Sequence, residues 1–477
     1  MKFEHRPPLS GGYDGQDMPT SSSGYRSAHA SLGALLGERL SMSAYDIESH
    51  ARDESFHPPA PPDAVAFPVS NEEVSRIVRI CRDHSLPVIP FGAGTAVEGH
   101  VQAILGGISL DLSRMDRVLD LQADDLDCRV QAGIRRVALN DHLEKHGLWL
   151  PVDPGADASI GGMAATGASG TTTVRYGTIR ENVLGLACVL ADGRVVRTGG
   201  RARKSSAGYD LTKLMLGSEG TLGVITEVQL KLSPLPEAVS GAVCSFPDVR
   251  ESVETVIEIL QSGIPVARCE LLDETSMRAV SDYAKLPYRA ASTIFFEFHG
   301  TPASVAEQAQ VSGAIAAEHG GGDFQWTGER EKRERLWHAR HHAYYAIKAL
   351  RPGSYGWVSD VCVPISRLAE SIVATHEDLR RGRLVAPILG HVGDGNFHAI
   401  FLVDPEDADE MGRARRASDL MIDRALEVGG TCTGEHGIGL GKKDALQAQH
   451  GDGVAVMQLI KTALDPDGIL NPGKILG

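Results

Sequence analysis

The sequence lacks the features that mark secreted, membrane-spanning and nucleic-acid-binding proteins. Its seven cysteines are scattered and form no Cys-x-x-Cys pair, so neither a disulfide framework nor a zinc–thiolate site is expected. Lysine and arginine number 47 against 62 aspartates and glutamates, and the resulting net charge of −15 disfavours nucleic acid as a partner. Its apolar stretches, such as 184–191, are far shorter than the ~20 residues that span a membrane.

The chain is long and rich in glycine. Its 477 residues predict two or more domains, and its 53 glycines exceed the usual share. Helical and extended patterns intermingle in both halves, which predicts the α+β fold class. The first residues carry no apolar segment, which predicts the absence of a signal peptide and a cytoplasmic location, with peripheral membrane contact left open.

Two glycine-rich segments, 87–99 and 153–177, follow or contain short extended stretches. Successive backbone N–H groups in such loops can form a concavity that holds a diphosphate without basic side chains. Tight turns without a ligand are the alternative for either loop alone, and a third segment, 217–223, favours binding. The Rossmann fingerprint G-x-G-x-x-G and the Walker motif are both incomplete, which argues against NAD and P-loop sites.

Histidines and a carboxylate near the C-terminus suggest a metal site. If Asp394–Gly395 is a two-residue hairpin turn, His391 lies directly opposite His398, with the Cβ atoms ~5 Å apart. Glu435 or His436 could supply a third ligand, and two imidazoles with a carboxylate suit Zn²⁺, Mn²⁺ or Fe²⁺. The alternative is that the two histidines are surface residues of the hairpin.

A second histidine group has the spacing of a helix predicted over about 329–350. His338, His341 and His342 lack a carboxylate in the right place, and we interpret them as a helix face rather than a ligand set. Arg340 on the same helix is, by itself, most simply a solvated residue.

Taken together, the glycine loops, the run 217–227 and the ending 471–474 resemble the FAD-linked oxidase superfamily that includes vanillyl-alcohol oxidase. Within it, the chain is most similar to the branch of cytochrome-type D-lactate dehydrogenases and glycolate oxidase flavoproteins. The resemblance implies a two-subdomain FAD-binding domain plus an α+β substrate (cap) domain with an antiparallel sheet. The implied divisions are an N-terminal arm and helix (1–55), the FAD-binding domain (56–236), the substrate domain (237–430) and a C-terminal segment returning to the flavin site (431–477).

The same resemblance implies which loop residues bind FAD. They are Pro90, Gly92, Ala93, Gly94, Thr95, Pro154, Gly155, Asp157, Ser159, Ile160, Gly161, Gly162, Gly170, Gly177, Glu219, Gly220, Ile225 and Asn471. Some members attach the flavin covalently through a histidine at the place of Thr95, so this FAD is expected to be non-covalent.

The resemblance also implies the chemical roles around the substrate. These are the carboxylate anchor Arg340, the Zn or Mn ligands His391, His398 and Glu435, and the base His436. The expected reaction is oxidation of a D-2-hydroxy acid, with D-lactate as the first candidate, by hydride transfer from Cα to flavin. Hydroxyglutarate-oxidising relatives have polar residues where this chain has Val358 and Ile400, which favours a short monocarboxylic substrate.

Several alternatives stay open at this level. Glycolate or D-2-hydroxyglutarate could be the substrate, and a metallohydrolase or a flavin-binding subunit without chemistry could carry the same residues. The electron acceptor could be a cytochrome, a quinone or an electron-transfer flavoprotein. A homodimer is compatible with the sequence, which does not define the oligomeric state.

Overall fold

The computed structural model describes residues 23–285 and 288–476. The helices are α1 (Ser23–Leu36), α2 (Ala44–Ser49), α3 (Asn71–Asp83), α4 (Arg136–Glu144), α5 (Ile160–Thr166), α6 (Thr173–Tyr176), α7 (Ile179–Asn182), α8 (Leu211–Met215), α9 (Val249–Gln261), α10 (Glu274–Ala284), α11 (Pro302–Glu318), α12 (Arg330–His341), α13 (Ala343–Lys348), α14 (Leu368–Arg381), α15 (Ala408–Glu427), α16 (Lys443–His450) and α17 (Gly453–Leu464).

The strands alternate with these helices along the chain. They are β1 (Leu40–Ser41), β2 (Ala64–Ala66), β3 (Val88–Phe91), β4 (Ile108–Asp111), β5 (Val118–Gln122), β6 (Asp127–Gln131), β7 (Leu148–Trp149), β8 (Val183–Val189), β9 (Val195–Gly199), β10 (Val224–Lys231), β11 (Ser233–Pro234), β12 (Ala238–Phe246), β13 (Val266–Leu272), β14 (Ser292–Gly300), β15 (Gly322–Thr327), β16 (Tyr355–Val358), β17 (Val361–Cys362), β18 (Ile388–His391) and β19 (Asn396–Val403).

Two sheets organise the N-terminal half. The first has the order β1-β2-β4-β3, with β2, β4 and β3 parallel. Helix α3 packs on it through Val74, Ile77 and Val78, and its N-cap is Ser70, whose hydroxyl accepts from the Glu73 N–H. The second sheet is antiparallel, with the order β5-β6-β10-β8-β9.

The dipeptide Asp192–Gly193, which is a strong hairpin signal in the sequence, lies in the turn between β8 and β9. Gly193 has φ +79°, a left-handed conformation that glycine adopts without strain. The Leu190 N–H donates to the Arg194 carbonyl at 3.0 Å and closes the turn.

One large sheet organises the C-terminal half, and the expected antiparallel arrangement is confirmed. Its order is β15-β12-β14-β13-β18-β19-β16, with β17 also paired to β19. Helices α9, α11, α14 and α15 cover one face around a core that includes Phe296, Phe298 and Phe401. Helices α10, α12 and α13 pack against part of the other face through Met277, Trp337 and other apolar residues.

The long helix predicted over 329–350 is interrupted. It ends at His341, and α13 begins at Ala343 after a turn at His342 with φ −93° and ψ 6°. The side chains of His338 and His341 lie outside the described part of the structure. The interpretation of that histidine group therefore stays a prediction.

The two ends of the described chain both join the first sheet. Strand β1 pairs with β2, and α1 contributes Leu32 and Leu36 to the same core as α3. Near the C-terminus, Leu470 forms a parallel bridge with Val88 on β3. Residues 1–22 of the predicted arm lie outside the described residues, and the domain divisions stay a prediction.

None of the helices within the described ranges combines the length and the apolar character that crossing a bilayer requires.

Candidate active site

A cavity of about 1040 Å³ lies between the N-terminal half and the second face of the large sheet. The segments 90–97, 153–163 and 219–225 contribute to one part of its wall. Arg340, His391, His398, Glu435 and His436 contribute to another part. The glycine loops and the histidine cluster, far apart in sequence, therefore share one cavity.

The glycine loops present backbone donors to this cavity. Among the described residues, no group accepts a hydrogen bond from the backbone N–H groups of 92–96 or 155–157. A Cβ atom added to Gly155 would meet nothing within 4 Å. Free amides on a concave glycine backbone fit the diphosphate of a dinucleotide, so the loops are suited to hold FAD.

Close backbone approach explains part of the glycine pattern. A Cβ atom on Gly161 would lie 2.5 Å from the Ala132 Cβ and 2.9 Å from its carbonyl oxygen. Ser159 caps α5 by accepting from the Gly162 N–H at 3.2 Å. The second loop is therefore held directly against the chain that follows β6.

Most of the residues expected to bind the cofactor line the cavity. They are Pro90, Gly92, Ala93, Gly94, Thr95, Pro154, Gly155, Asp157, Ser159, Gly161, Gly162, Glu219, Gly220, Ile225 and Asn471.

Three expected cofactor residues have other positions. Ile160 is buried in an apolar core, and Gly177 ends α6 with φ +74°. Gly170 packs on Asp153, whose backbone carbonyl carbon would lie 2.4 Å from an added Cβ. The geometry gives these three residues packing and turn roles away from the cavity wall, and their contacts with the cofactor stay a prediction.

The histidine pair is close in space, but its predicted register is wrong. Strand β19 places His398 opposite Leu389, so His391 is its diagonal neighbour on the same face. The connection comprises residues 392–395, and its Gly395 packs on Val363 so closely that an added Cβ would lie 2.0 Å from the Val363 carbonyl oxygen. The two imidazole centroids are 5.6 Å apart.

Glu435 completes a group of three potential metal ligands. Its Oε1 lies 3.4 Å from Nε2 of His391 and 3.3 Å from Nε2 of His398. Two ligands about 2.05 Å from a tetrahedral zinc ion would be about 3.3 Å apart, so these separations fit a shared cation. The other carboxylate oxygen accepts from the Ser169 hydroxyl at 2.7 Å.

The outer nitrogens of both imidazoles face hydrogen-bond acceptors. Nδ1 of His391 lies 2.6 Å from Oε1 of Glu270, and Nδ1 of His398 lies 3.0 Å from the Ser359 carbonyl oxygen. A proton on each Nδ1 leaves the Nε2 lone pair directed towards Glu435, as metal-binding histidines require. The expected ligand set therefore fits a divalent cation.

The electrostatics of this group favour positive charge. Burial alone would lower the pKa of His391, but the carboxylates of Glu270 and Glu435 raise that pKa well above its ordinary value. Burial opposes ionisation of Glu435, but the neighbouring imidazoles hold its pKa well below the usual range. The position between these side chains is suited to a proton or a metal ion.

Asp360 fixes the loop that carries Glu435 and His436. Its Oδ2 accepts from the backbone N–H groups of Gly434, Glu435 and His436 at 2.8, 2.9 and 3.0 Å. Asp360, His398 and His436 form a second possible ligand group. These backbone hydrogen bonds already engage the Asp360 carboxylate, so His391, His398 and Glu435 form the better cation site.

His436 combines burial with access to the cavity. Its ring stacks on His398 with centroids 5.0 Å apart. Its Nδ1 has no hydrogen-bond partner within the described part of the chain. Burial lowers the pKa of His436 to about 4, against the opposing effect of Asp360, so the imidazole is neutral near pH 7 and able to accept a proton. This pKa is well below the ~6.5 of an unperturbed imidazole.

Arg340 reaches the same cavity with a partner that the sequence did not indicate. Its Nε and Nη2 donate to Oε2 of Glu270 at 2.9 and 2.7 Å. Nearby, Val358 and Ile400 are directly paired across β16 and β19, and both line the cavity. This part of the wall thus places the Arg340 guanidinium near an apolar surface.

A second arginine also lines the cavity. Arg268 lies 3.1 Å from Asp153 and 3.5 Å from Glu297, and its guanidinium stacks over the Trp337 ring. Two carboxylates balance this charge, so Arg340 is the better anchor for a substrate carboxylate. The sequence analysis did not indicate this second arginine.

Sequence reasoning missed several residues that shape the site. Glu270 lies outside every motif, and Ser169 lies in the second glycine-rich segment but was given no role; the partners of both are more than 100 residues away. Asp360 was given no role either. Residues 54–56 also line the cavity, and the Tyr355 hydroxyl donates to the Glu54 carbonyl at 2.9 Å. Local patterns carry no signal for these tertiary contacts.

Two family models match the chain. The model described as "FAD binding domain" matches residues 62–199, and the one described as "FAD linked oxidases, C-terminal domain" matches residues 235–475. The chain is 50% identical over 443 residues to "Probable D-lactate dehydrogenase, mitochondrial" of Danio rerio, covering 92% of this chain and 89% of that protein.

A plant protein and a solved structure agree with this assignment. The chain is 44% identical to "D-lactate dehydrogenase [cytochrome], mitochondrial" of Arabidopsis thaliana, covering 93% of this chain and 79% of the relative. The structure of p-cresol methylhydroxylase with substrate bound superposes with a TM-score of 0.77 at 17% identity, covering 95% of this chain and 97% of that one. At that identity the structural likeness concerns the fold alone.

Proposed function

Since the chain belongs to the family of FAD-linked oxidases, we propose that it is an FAD-dependent dehydrogenase of D-2-hydroxy acids, with D-lactate as the main substrate and pyruvate as the product. The observation that carries this proposal is the shared cavity, in which glycine loops suited to FAD face Arg340 and the histidine cluster. The names of the two relatives support D-lactate.

Arg340 binds the substrate carboxylate in this proposal. The edge formed by Nε and Nη2 is engaged by Glu270, so the Nη1–Nη2 end remains for the substrate. A charge-assisted pair of this kind fixes the orientation of a small acid as well as its affinity. The apolar pair Val358 and Ile400 then suits the methyl group of lactate better than a second carboxylate.

His391, His398 and Glu435 hold a divalent cation, Zn²⁺ or Mn²⁺, in this proposal. Its support is the ligand separations of 3.3 and 3.4 Å together with the oriented imidazoles. Such a cation would supply Lewis-acid stabilisation of negative charge on the 2-hydroxyl oxygen.

His436 accepts the proton of the 2-hydroxyl group. Its imidazole is neutral before the reaction, because burial lowers its pKa to about 4. Bound FAD would supply the two-electron acceptor of the oxidation. The FAD is non-covalent in this proposal, because Thr95 cannot form the histidyl linkage of some family members.

A cytochrome is the first candidate for the electron acceptor, from the printed name of the plant relative. A quinone and an electron-transfer flavoprotein are the alternatives. Both relatives have "mitochondrial" in their names. A cytoplasmic location and a homodimer stay predictions.

The proposed function is tested by anaerobic titration of the purified yellow protein with D-lactate, L-lactate, glycolate and D-2-hydroxyglutarate. We expect D-lactate to bleach the flavin spectrum and L-lactate to leave it oxidised. Faster reduction by glycolate or D-2-hydroxyglutarate would reassign the substrate. A protein without FAD affinity would contradict the whole proposal, and acid precipitation that retains the flavin would contradict non-covalent binding.

A further inference from the structure

Glu270 contacts both groups that are proposed to bind the substrate. It lies on β13, and its side chain is fully buried. The register of β13 and β18 places it directly opposite His391, and its Oε1 lies 2.6 Å from Nδ1. Its second oxygen accepts from Nε and Nη2 of Arg340 at 2.9 and 2.7 Å. One carboxylate therefore connects the guanidinium to the metal-binding imidazole.

The two contacts have distinct consequences. Towards His391, the carboxylate keeps the proton on Nδ1 and so directs the Nε2 lone pair at Glu435. Towards Arg340, it occupies one edge of the planar guanidinium and so defines the direction of the other edge. Because both contacts share one buried side chain on a strand, the two groups cannot move independently.

We propose that Glu270 is a positioning residue that sets the separation between the carboxylate anchor Arg340 and the metal ligand His391, and thereby selects 2-hydroxy acids. The proposal rests on the function proposed above. In a 2-hydroxy acid the carboxylate and the hydroxyl are on adjacent carbons, so the two binding groups must keep one short separation. A 3-hydroxy acid has one more carbon between them and requires a longer one.

The test compares Glu270→Gln with wild type and with a matched control. Glu297→Gln is that control, since Glu297 is a buried carboxylate on the adjacent strand β14 that also contacts a histidine and an arginine, His299 at 2.8 Å and Arg268 at 3.5 Å. All variants are purified with FAD, and their flavin content is checked first. Affinity for Zn²⁺ and Mn²⁺ is measured by competition with a chromophoric chelator, and kcat/KM is measured for D-2-hydroxybutyrate and D-3-hydroxybutyrate.

Glu270→Gln is expected to weaken metal affinity by about 10–100-fold, the usual effect of losing a carboxylate behind a metal-binding histidine. It should also lower the preference for the 2-hydroxy over the 3-hydroxy acid by at least about tenfold. Glu297→Gln should leave both quantities at wild-type values. A role in folding alone would not change the ratio of the two substrates.

Glu270→Asp is the second variant, in case Glu270→Gln does not fold. Aspartate keeps the charge but is one methylene shorter, so it reaches at most one of His391 and Arg340. At least one of metal affinity and preference for the 2-hydroxy acid should therefore change tenfold. The proposal would be overturned if either Glu270 variant kept both the wild-type metal affinity and the wild-type preference for the 2-hydroxy acid. It would also be overturned if Glu297→Gln lost as much of both as Glu270→Gln. If the wild-type protein does not oxidise D-lactate, the proposed function fails, and metal affinity alone still decides whether Glu270 orients His391.

Discussion

Glu435 and His436 are adjacent in sequence, and their partners give them different chemistry. The Glu435 carboxylate faces two imidazoles and Ser169, and its pKa is held well below the usual range. His436 has an unpartnered Nδ1 within the described ranges, and its pKa is lowered by burial. At the scale of the residue, Glu435 therefore carries the negative charge, and the neighbouring His436 is the neutral proton acceptor.

Replacing the metal ligands and replacing the base should therefore give different defects. We expect His391→Ala, His398→Ala and Glu435→Ala to lose bound metal and activity but to keep FAD, since the glycine loops are elsewhere in the cavity. His436→Ala should keep metal and FAD and lose about 10²–10⁴ in the rate of flavin reduction, as expected for a missing general base. Metal analysis and anaerobic stopped-flow measure the two effects.

Combining the two kinds of substitution should add little to the larger single defect, because both serve one proton transfer. Full activity after exhaustive metal removal would contradict this prediction and would leave His436 to act alone.

Arg340→Lys tests the carboxylate anchor. A lysine cannot contact Glu270 and the substrate with the same planar fork, so kcat/KM for D-lactate should fall about 30-fold or more, roughly 2 kcal/mol. Steady-state kinetics measure the change. Arg330→Lys is the control, since Arg330 is on the same helix, 84% exposed and paired only with Glu334 among the described residues. Equal kinetics of the two variants would argue against the assignment of Arg340.

At the scale of the element, the glycine loops depend on how closely α5 approaches its neighbours. A methyl group on Gly161 would meet the backbone of Ala132, so Gly161→Ala must displace α5 or the adjacent chain. We expect weaker FAD binding, measured by fluorescence titration of the protein freed of flavin. Gly200→Ala should have no effect, since its added Cβ meets nothing within 4 Å. Equal FAD affinities would show that the loop tolerates displacement.

Some elements could be predicted from the sequence and others could not. The hairpin at Asp192–Gly193 was predictable because the turn residues themselves determine the turn. The connection at 392–395 has four residues instead of the expected two, and its Gly395 packs on Val363, a contact that the local sequence does not encode. No glycine or proline next to His342 indicates the interruption between α12 and α13. The local sequence therefore predicts an element when the residues of that element determine its conformation. The prediction fails when a contact with distant residues determines the conformation.

The same distinction holds for the site. The resemblance to the FAD-linked oxidases is confirmed, and it identified the glycine loops and the histidine cluster from contiguous motifs. Glu270 could not be found in this way, since its role depends on pairing with His391, 121 residues away. Contacts between elements distant in sequence leave no periodic or compositional trace.

At the scale of the whole molecule, a buried ion pair joins the two halves. Arg268 on the large sheet contacts Asp153 beside the second glycine loop, and also Glu297. Arg268→Ala would remove the cation between Asp153 and Glu297, which among the described residues would keep only hydrogen bonds from Thr171 and Thr172 and the contact with His299, respectively. We expect a loss of about 3–5 kcal/mol in unfolding free energy. Denaturant titration followed by circular dichroism measures it.

Arg201→Ala is the matched control for this prediction. Arg201 also contacts two carboxylates, Asp125 and Asp127, but its side chain is 45% exposed. Solvent-exposed pairs contribute about 0–1 kcal/mol, so its loss should be small. Equal destabilisation by both variants would show that burial does not govern these pairs.

The bridge between Val88 and Leu470 has a consequence for biosynthesis. The Asn471 amide beside it donates to the carbonyls of His100 and Glu219, so the flavin side of the cavity includes residues that are synthesised after the whole substrate-binding half. The N-terminal half is translated first, but it cannot complete this wall until the substrate-binding half has emerged. We therefore expect stable FAD binding only after residue 471 has been synthesised, and a chain that stops short of it would carry an incomplete cofactor site.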